Sequence, residues 1–335
     1  MKRFFTAVFA ALALSGAIAA EISRSDMVLG TVCSLRIIEG GSSKTVDEVF
    51  RRLSEIESRM SANKDGTEIA AINAAAGKQA VKVSPDTFYV ITKALEYAKL
   101  SKGAFDPSVG PLVKLWGIGT DEARLPSKQE ISAALGLIDY RLVETDAAKQ
   151  TVKLLKPGMR LDLGAIAKGY AADEVSAILQ RHKVKSAVVD LGGNVLVFGE
   201  KRDGSPWRVG VQDPVSERGE YLGLIAGKAM TVVTSGVYER YFIEQGIRYH
   251  HILDTKTGYP VKNGLVSVTI VASASIDADG LSTTVFALGL ERGMALIESM
   301  PNVEAVFVDE QNRVYLSPGA EKLFTLTSKA YSLAR

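Results

Sequence analysis

An acid and a hydroxyl stand four positions apart in the stretch SIDADGLSTTVFALG, residues 275–289. On a helix, Asp279 and Thr283 would share one face, whereas Asp277 and Asp279, two positions apart, would not. A carboxylate and a hydroxyl on one face suit a hard cation such as Mg²⁺ or Ca²⁺ rather than Zn²⁺. The simpler alternative is that both acids only favour a helix N-terminus, where the dipole attracts negative charge. This stretch alone leaves both interpretations open.

A lysine at the start of another helix is the second candidate. Residues 161–163 predict a short strand that runs into Gly164 and then into a helix from about residue 166. The N–H groups at a helix N-terminus can bind an anion. Lys168 falls in the first turn, where the dipole disfavours a cation unless the cation serves an anionic ligand. The position of Lys168 therefore favours a role in function.

Two of the three histidines are adjacent, His250 and His251, and a polar turn with Asp254 follows them. Neighbouring residues of a strand point to opposite faces, so the two rings are not expected to bind one metal ion. A histidine beside a turn that contains Asp and Thr is a candidate for acid–base catalysis.

Two further segments are rich in glycine. Residues 103–111 contain two glycines and two prolines and predict a rigid, extended loop, which is either a ligand wall or a plain connection. Residues 190–194, DLGGN, end a predicted strand, and their paired glycines favour a tight hairpin.

The elements that must position these residues follow from hydrophobic periodicity and capping signals. Predicted helices cover residues 46–60, 85–100, 166–180, 279–288 and 290–300. A further helix is predicted after the capping box that starts at Ser127. Predicted strands cover residues 31–38, 152–155, 186–190, 195–198, 208–211, 222–225, 230–233, 266–271, 305–308 and 314–316. Short turns separate most strands, which predicts an α+β fold, a single compact domain with a largely antiparallel sheet core and packed helices.

The N-terminus predicts export. Lys2 and Arg3 precede an apolar run, and the small residues Ala17 and Ala19 follow, so residues 1–20 resemble a secretory signal peptide. A retained membrane anchor is the alternative, although the run is short for a span. The mature domain would cover residues 21–335 and lie outside the inner membrane, with no stable membrane span. The single cysteine, Cys33, excludes an internal disulfide and fits a buried strand thiol.

The overall charge does not favour nucleic-acid binding. The formal net charge is +2, and the basic residues form no stripe.

Five segments in this order resemble the ApbE family, the FAD:protein FMN transferases. They read DLGAIAKGYAAD, DLGGNV, TSGVYERYF, HHILDTKTGYP and DADGLSTTVFALG, and the resemblance covers nearly all of the mature chain. The resemblance implies an α+β fold related to the T-fold and an exported or periplasmic enzyme that binds FAD with Mg²⁺. It also implies cleavage of the FAD pyrophosphate, release of AMP and transfer of FMN to a Thr or Ser of a target flavoprotein, typically a subunit of an ion-pumping redox complex.

The resemblance also implies site residues, position by position. The metal ligands would be Asp279, Thr283, the backbone of Ala165 and a backbone oxygen of Ile276. The FAD contacts would be Leu29, Asn63, Ala104, Phe105, Asp106, Asp162, Lys168 and the His250 region. Asp190 and the glycines after it would help to form the pocket, and the Asp254 turn would hold His251. The base would be His251 or a carboxylate near Asp279. With Asp279 assigned to the metal, Asp277 is left to cap the helix.

One departure from the family pattern bears on the reaction. Many transferases have Tyr where this chain has Asn63, and Asn cannot stack on a flavin. Some members, spirochaetal ones among them, hydrolyse FAD to FMN and AMP, and the segment MVLGTVC at residues 27–33 is similar to that subgroup. Hydrolysis by an FAD pyrophosphatase is therefore the alternative activity, and a non-catalytic periplasmic flavin-binding protein is the alternative outside enzymes.

Overall fold

A computed structural model describes residues 21–217 and 219–334 of the chain. The predicted signal peptide, residues 1–20, lies outside the described residues. The helices are α1 Ser43–Met60, α2 Glu68–Ala74, α3 Pro85–Leu100, α4 Gly110–Trp116, α5 Lys128–Leu135, α6 Ala167–Arg181, α7 Ser275–Leu288 and α8 Leu290–Glu298. The strands are β1 Ile22–Val28, β2 Thr31–Glu39, β3 Val81–Lys82, β4 Val143–Asp146, β5 Thr151–Leu154, β6 Ser186–Leu191, β7 Asn194–Gly199, β8 Trp207–Gln212, β9 Tyr221–Gly227, β10 Met230–Gly236, β11 Tyr241–Glu244, β12 Ile247–His250, β13 Leu265–Ala272, β14 Glu304–Asp309, β15 Arg313–Leu316, β16 Phe324–Leu326 and β17 Ser332–Leu333.

A nine-stranded sheet forms the centre of the protein, in the order β1-β2-β6-β7-β10-β13-β14-β15-β17. Its neighbouring strands pair antiparallel except β15 and β17, which are parallel. Within the described ranges, three smaller sheets accompany it, in the orders β16-β9-β8, β3-β5-β4 and β11-β12. The predicted α+β class with a largely antiparallel sheet core is confirmed.

The central sheet is covered on both faces. On β10, Val233 packs in the core that includes α1, α6 and α7, while its neighbour Val232 packs in the core under β8 and β9. This alternation follows from the two-residue period of a strand. Helix α1 turns a stripe that includes Val49, Leu53 and Ile56 into the first core, and burial of each such side chain contributes about 1.5–3 kcal/mol.

Local signals located several elements correctly. Helix α3 begins after Ser84, whose hydroxyl accepts the Thr87 N–H, and α5 begins after Ser127 with a capping box, as predicted. The strand predicted at residues 161–163 is absent, because both backbone groups of Leu161 bond to the side chain of Asn73 instead of a neighbouring strand. Strand β1 was not predicted, since most of its side chains are exposed and polar.

Within residues 21–217 and 219–334, no helix combines the length and the apolar character that crossing a membrane requires.

Candidate active site

The N-terminal ends of α6 and α7 meet at Gly169. A Cβ atom at this position would lie 2.3 Å from the Ser275 carbonyl oxygen and 2.6 Å from the Asp279 Cβ, so only glycine allows the helices to approach so closely. The Gly169 N–H donates to Asp279 Oδ2 over 2.8 Å. The Asp279 side chain is therefore oriented by the backbone of α6, and the residue is only 3 % exposed.

Helix α7 begins four residues earlier than predicted, because its cap comes from another helix. Asp173 of α6 accepts the N–H groups of Ser275, over 2.7 Å, and of Ile276, over 2.9 Å. Burial raises the pKa of Asp173, while these two N–H groups oppose that shift. Two of the N–H groups that a helix N-terminus leaves without a partner are thus bonded by a residue about a hundred positions earlier in the chain.

The capping role predicted for Asp277 is wrong. The N-cap position is Ala274, and no side chain of α7 caps the helix. Asp277 instead accepts the Tyr97 hydroxyl over 2.6 Å and forms an ion pair of 3.0 Å with Lys93. Asp277 therefore attaches α7 to α3 and points away from the group around Asp279.

Lys168 supplies a positive charge to the candidate metal ligand. Its Nζ lies 3.5 Å from Asp279 Oδ1 and donates to the Gly164 carbonyl over 3.1 Å. The cation in the first turn of α6 is therefore balanced by a carboxylate from α7, which explains how it is tolerated at the positive end of the dipole.

The other predicted metal ligands differ in what they can offer. Thr283 lies half-buried on the same face of α7 as Asp279, with its hydroxyl oxygen 3.3 Å from that of Ser235. Ala165 lies in the turn before α6, half-buried. Ile276 lies inside the first turn of α7, so its carbonyl points along the helix toward the Gly280 N–H.

The donors around Asp279 fit a hard cation. Among residues 21–217 and 219–334, no three His, Cys, Asp or Glu side chains cluster so as to hold a metal ion. A site here would combine one carboxylate with a hydroxyl and a backbone carbonyl. Such an oxygen set suits Mg²⁺, which usually retains several water ligands, and does not suit Zn²⁺.

Asp162 lies at the turn that leads into α6. Its Oδ1 accepts the Gly164 N–H over 2.8 Å. Burial raises the pKa of Asp162, and this N–H and the positive charges of Arg240, Arg160 and Lys168 oppose the rise. Lys168 on α6 and Arg240 just before β11 therefore act on the same carboxylate.

The carbonyl of Arg240 orients the ring of His251. The carbonyl of Arg240 accepts the His251 backbone N–H over 3.1 Å and lies 3.3 Å from its Nδ1. Because a carbonyl only accepts, Nδ1 carries the proton and Nε2 keeps its lone pair. Burial, helped by the positive charge of Arg240, lowers the pKa of His251 to about 3.

His250 is part of the core. Its Nε2 donates to the Val261 carbonyl over 3.0 Å, and its Nδ1 accepts the Ile252 N–H over 3.3 Å. Burial lowers its pKa. Both ring nitrogens are used inside the protein, so this ring offers no free nitrogen to FAD, and the two histidines have separate surroundings.

Asp254 organises its own turn rather than His251. Its Oδ1 accepts the Lys256 N–H over 2.7 Å, and its backbone N–H donates to the Tyr259 carbonyl over 2.8 Å. Within the described part of the chain, the hydrogen bonds that position the His251 ring come from Arg240, not from this turn. Thr255 ties the turn to the loop at residues 103–111, since its hydroxyl donates to the Gly103 carbonyl over 2.6 Å.

Hydrogen bonds to the buried side chain of Asp106 stabilise the loop at residues 103–111. Asp106 accepts the N–H and hydroxyl of Ser108 with one oxygen and the Tyr140 N–H with the other. Burial raises the pKa of Asp106, which these hydrogen bonds oppose. Phe105 is buried edge-to-face against Tyr97. Both carboxylate oxygens of Asp106 are thus hydrogen-bonded within the protein. Of the three FAD contacts predicted in this loop, Ala104 is half-buried, whereas Phe105 and Asp106 are buried.

Leu29 and Asn63 lie on two surface turns that Glu57 links. Leu29 has a φ of 57° and forms the β1–β2 turn with Gly30. The Gly30 N–H donates to one oxygen of Glu57, and Lys64 Nζ lies 2.6 Å from the other. Asn63, beside Lys64, is exposed.

The DLGGN segment forms the predicted tight hairpin between β6 and β7. Asp190 Oδ1 accepts the Gly193 N–H over 2.8 Å. A Cβ atom at Gly192 would lie 2.3 Å from the Thr31 hydroxyl oxygen, so this hairpin packs directly on the start of β2.

Sequence reasoning missed Arg240, Asp173 and Gly169 as parts of this region. Arg240 stands in the segment TSGVYERYF and Gly169 and Asp173 in DLGAIAKGYAAD, so the motifs contained them. Nothing in their local spacing indicated their contacts with His251, Ser275 and Asp279, which lie far along the chain or across a hairpin.

Fold and site together define an α+β protein with a carboxylate–hydroxyl pair at a helix crossing and cations nearby, a combination suited to a phosphorylated ligand. The model of the ApbE family matches residues 29–307, and the chain belongs to that family.

Curated relatives and solved structures agree with this assignment. The chain is 40% identical over 316 residues to a protein of Treponema pallidum named FAD:protein FMN transferase, covering 89% of this chain and 87% of the relative. It is 36% identical to a Klebsiella pneumoniae protein of the same name, covering 93% and 96%. A crystal structure of an ApbE protein from Thermotoga maritima superposes with a TM-score of 0.83 at 34% identity, covering 91% of this chain and 99% of that one. The flavin transferase ApbE from Vibrio cholerae gives a TM-score of 0.81 at 30% identity, with 91% and 99% covered.

Proposed function

We propose that this chain is an FAD:protein FMN transferase that cleaves the pyrophosphate of FAD and attaches FMN to a Thr or Ser of a target flavoprotein. The hydroxyl oxygen of the target forms a bond to the FMN phosphorus, the bond from that phosphorus to the bridging oxygen breaks, and AMP leaves with that oxygen. The names of the relatives support this activity. The buried Asp279, fixed by Gly169 and faced by Lys168, is the observation that carries it.

Asp279, Thr283 and the Ala165 carbonyl would hold Mg²⁺, the cofactor of this proposal. When bound, the ion neutralises charge on the pyrophosphate. Ile276 is left out of this set, because its carbonyl belongs to the hydrogen-bond ladder of α7. Lys168 is close enough to provide further positive charge once Asp279 turns to the ion.

His251 would accept the proton of the attacking hydroxyl. Its Nε2 keeps a lone pair because Nδ1 donates to the Arg240 carbonyl. In the free protein its low pKa makes it a weak base. The negative charge of a bound pyrophosphate would raise the pKa toward a value suited to proton transfer. Asp254 would contribute only by shaping the turn that follows.

FAD would be bound along the surface turns of Leu29 and Asn63, the Ala104 loop, and Asp162 with Lys168. Phe105, Asp106 and His250 would support that surface from the interior. All three are buried, and the side chains of Asp106 and His250 are hydrogen-bonded within the protein. Asp190 and the glycine hairpin would complete the pocket.

Export is part of the proposal. Residues 1–20 would act as a signal peptide, and the mature enzyme would act in the periplasm, free or at the outer face of the inner membrane. Its partners there would be FAD and target flavoproteins such as redox-complex subunits that present an acceptor Thr or Ser.

A second candidate is an FAD pyrophosphatase, with water as acceptor in place of the target hydroxyl. Asn63 favours it, because this exposed side chain has no ring to stack on the flavin as a tyrosine would. The same site would serve both reactions.

One assay tests these activities together. The purified mature chain is incubated with FAD and Mg²⁺, with and without a target flavoprotein, and flavins and AMP are separated by chromatography. Flavin covalently bound to the target, together with an equal amount of AMP, is the expected result. Free FMN alone would identify the pyrophosphatase, and unchanged FAD would leave only a flavin-binding protein.

A further inference from the structure

Arg240 is a cation beside the candidate active site with little to bind inside the protein. Within the described residues it forms no ion pair with a carboxylate, and its one side-chain hydrogen bond runs from Nη2 to the Gly30 carbonyl over 3.4 Å. Lys168, by contrast, is engaged with Asp279. A guanidinium has five N–H donors, so most of those of Arg240 are open to a ligand.

The aliphatic stem of Arg240, although the residue is exposed, lies against the loop at Gly119. A Cβ atom at Gly119 would lie 3.1 Å from Arg240 Cδ, so the aliphatic stem runs over the backbone of that loop. The backbone of Arg240 is fixed through its carbonyl, which accepts the His251 N–H. A guanidinium supported in this way loses little conformational freedom when it binds an anion.

The charge of Arg240 reaches two groups of the candidate site. It lowers the pKa of His251, and only burial lowers that pKa more. It also opposes the rise that burial causes in the pKa of Asp162. The guanidinium lies beside the Leu29–Gly30 turn, and the backbone carbonyl of the same residue contacts the His251 ring. A ligand that reaches His251 and Asp162 would pass this cation.

We propose that Arg240 binds the pyrophosphate of FAD through its guanidinium, while its carbonyl holds His251 for the reaction. The inference rests on the proposed function for the identity of the ligand. A planar fork of N–H donors matches phosphate oxygens in pairs, which gives such contacts both strength and orientation. One residue thereby couples the position of the phosphates to that of the proton acceptor.

Binding of riboflavin, FMN, AMP and FAD separates this role from a structural one. Affinities are measured without Mg²⁺, so that FAD is not cleaved, by flavin fluorescence and, for AMP, by calorimetry, on the mature chain and on Arg240→Gln and Arg240→Lys. Arg240→Gln removes a charge-assisted contact and is expected to lower the affinity for FAD about 10- to 100-fold. The affinity for riboflavin, which has no phosphate, should change less than about twofold. Arg240→Lys should lose less FAD affinity than Arg240→Gln because it keeps the charge.

Arg248→Gln is the matched control. Arg248 lies on the same hairpin, is exposed and stacks over the Tyr241 ring at 4.3 Å. Its loss removes the same charge and should leave FAD affinity unchanged. Equal weakening of riboflavin and FAD in Arg240→Gln, or no change in either for both Arg240 variants, would overturn the assignment.

The outcome is independent of the transfer reaction. A chain that binds FAD through Arg240 but forms neither free nor covalent FMN would remove the proposed function and leave the phosphate contact intact. A wild-type chain that binds riboflavin and FAD equally would have no phosphate contact here, even if transfer occurred.

Discussion

The backbone N–H of Gly169 donates to Oδ2 of Asp279 over 2.8 Å, across the crossing of α6 and α7. The contact exists because Gly169 has no side chain to separate the helices. Asp173, one turn further along α6, holds the start of α7 by two more hydrogen bonds. The geometry at Asp279 thus depends on α6, the helix that the LGAIAKGYAAD segment begins.

Gly169→Ala should separate α6 from α7. The new Cβ would lie 2.3 Å from the Ser275 carbonyl oxygen, so the helices must shift, at a cost of about 1–3 kcal/mol. Urea denaturation measures the loss of stability, and calorimetry should show weaker Mg²⁺ binding. Gly136→Ala is the control, because its nearest neighbour would be 3.5 Å away, an ordinary contact. Wild-type stability in Gly169→Ala would show that the crossing is looser than described.

Asp279→Asn should remove Mg²⁺ binding while the fold persists. The amide oxygen can still accept the Gly169 N–H, but the negative charge is lost. We expect Mg²⁺ affinity and Mg²⁺-dependent FAD cleavage to fall by more than about 100-fold, beyond the usual effect of residues that only support a ligand. Asp277→Asn serves as control, since Asp277 contacts Tyr97 and Lys93. Retained Mg²⁺ affinity would remove Asp279 from the metal site.

Asp173→Ala should destabilise the start of α7. Two backbone N–H groups would lose a charged acceptor, which costs about 3 kcal/mol together. Hydrogen exchange should become faster in the first turn of α7 than in its last turn. Asp173→Asn keeps an acceptor oxygen and should lose less. Uniform exchange across α7 in Asp173→Ala would contradict the capping role.

Asn63→Tyr should shift the reaction from hydrolysis toward transfer. Asn63 is exposed on the turn that follows α1, where a tyrosine ring has room to stack on a flavin. The ratio of covalently bound to free FMN, measured with FAD and a target flavoprotein, should rise. Asn63→Ala controls for the loss of the amide, and an equal ratio in all three proteins would show that this turn does not select the acceptor.

His251 should remain neutral in the free protein at every pH from 8 down to about 4. Its pKa is lowered to about 3, so below pH 6.5 the unfolded chain binds a proton that the folded chain does not. Stability is therefore lost as the pH falls, by at most about 2 kcal/mol from this ring at pH 5. His251→Gln should reduce the difference in unfolding free energy between pH 7 and pH 5. An NMR signal of His251 that titrates near pH 6.5 would refute the neutral state of this half-buried ring.

Features that depend on neighbouring residues could be read from the sequence. The four-residue spacing of Asp279 and Thr283 places both on one face of α7, and Ser84 and Ser127 begin their helices as predicted. The α+β class and most central strands also followed from periodicity, because side-chain direction repeats every two residues in a strand and every 3.6 in a helix.

Contacts between distant segments were decided only by the tertiary structure. The start of α7 depends on Asp173, the ring of His251 on the Arg240 carbonyl, and the orientation of Asp279 on the Gly169 N–H. Local spacing carries no information about such pairs, since they form only when α6 packs on α7 and β11 pairs with β12. Local sequence therefore fixes which face of its helix each residue occupies, and packing determines which of these residues meet.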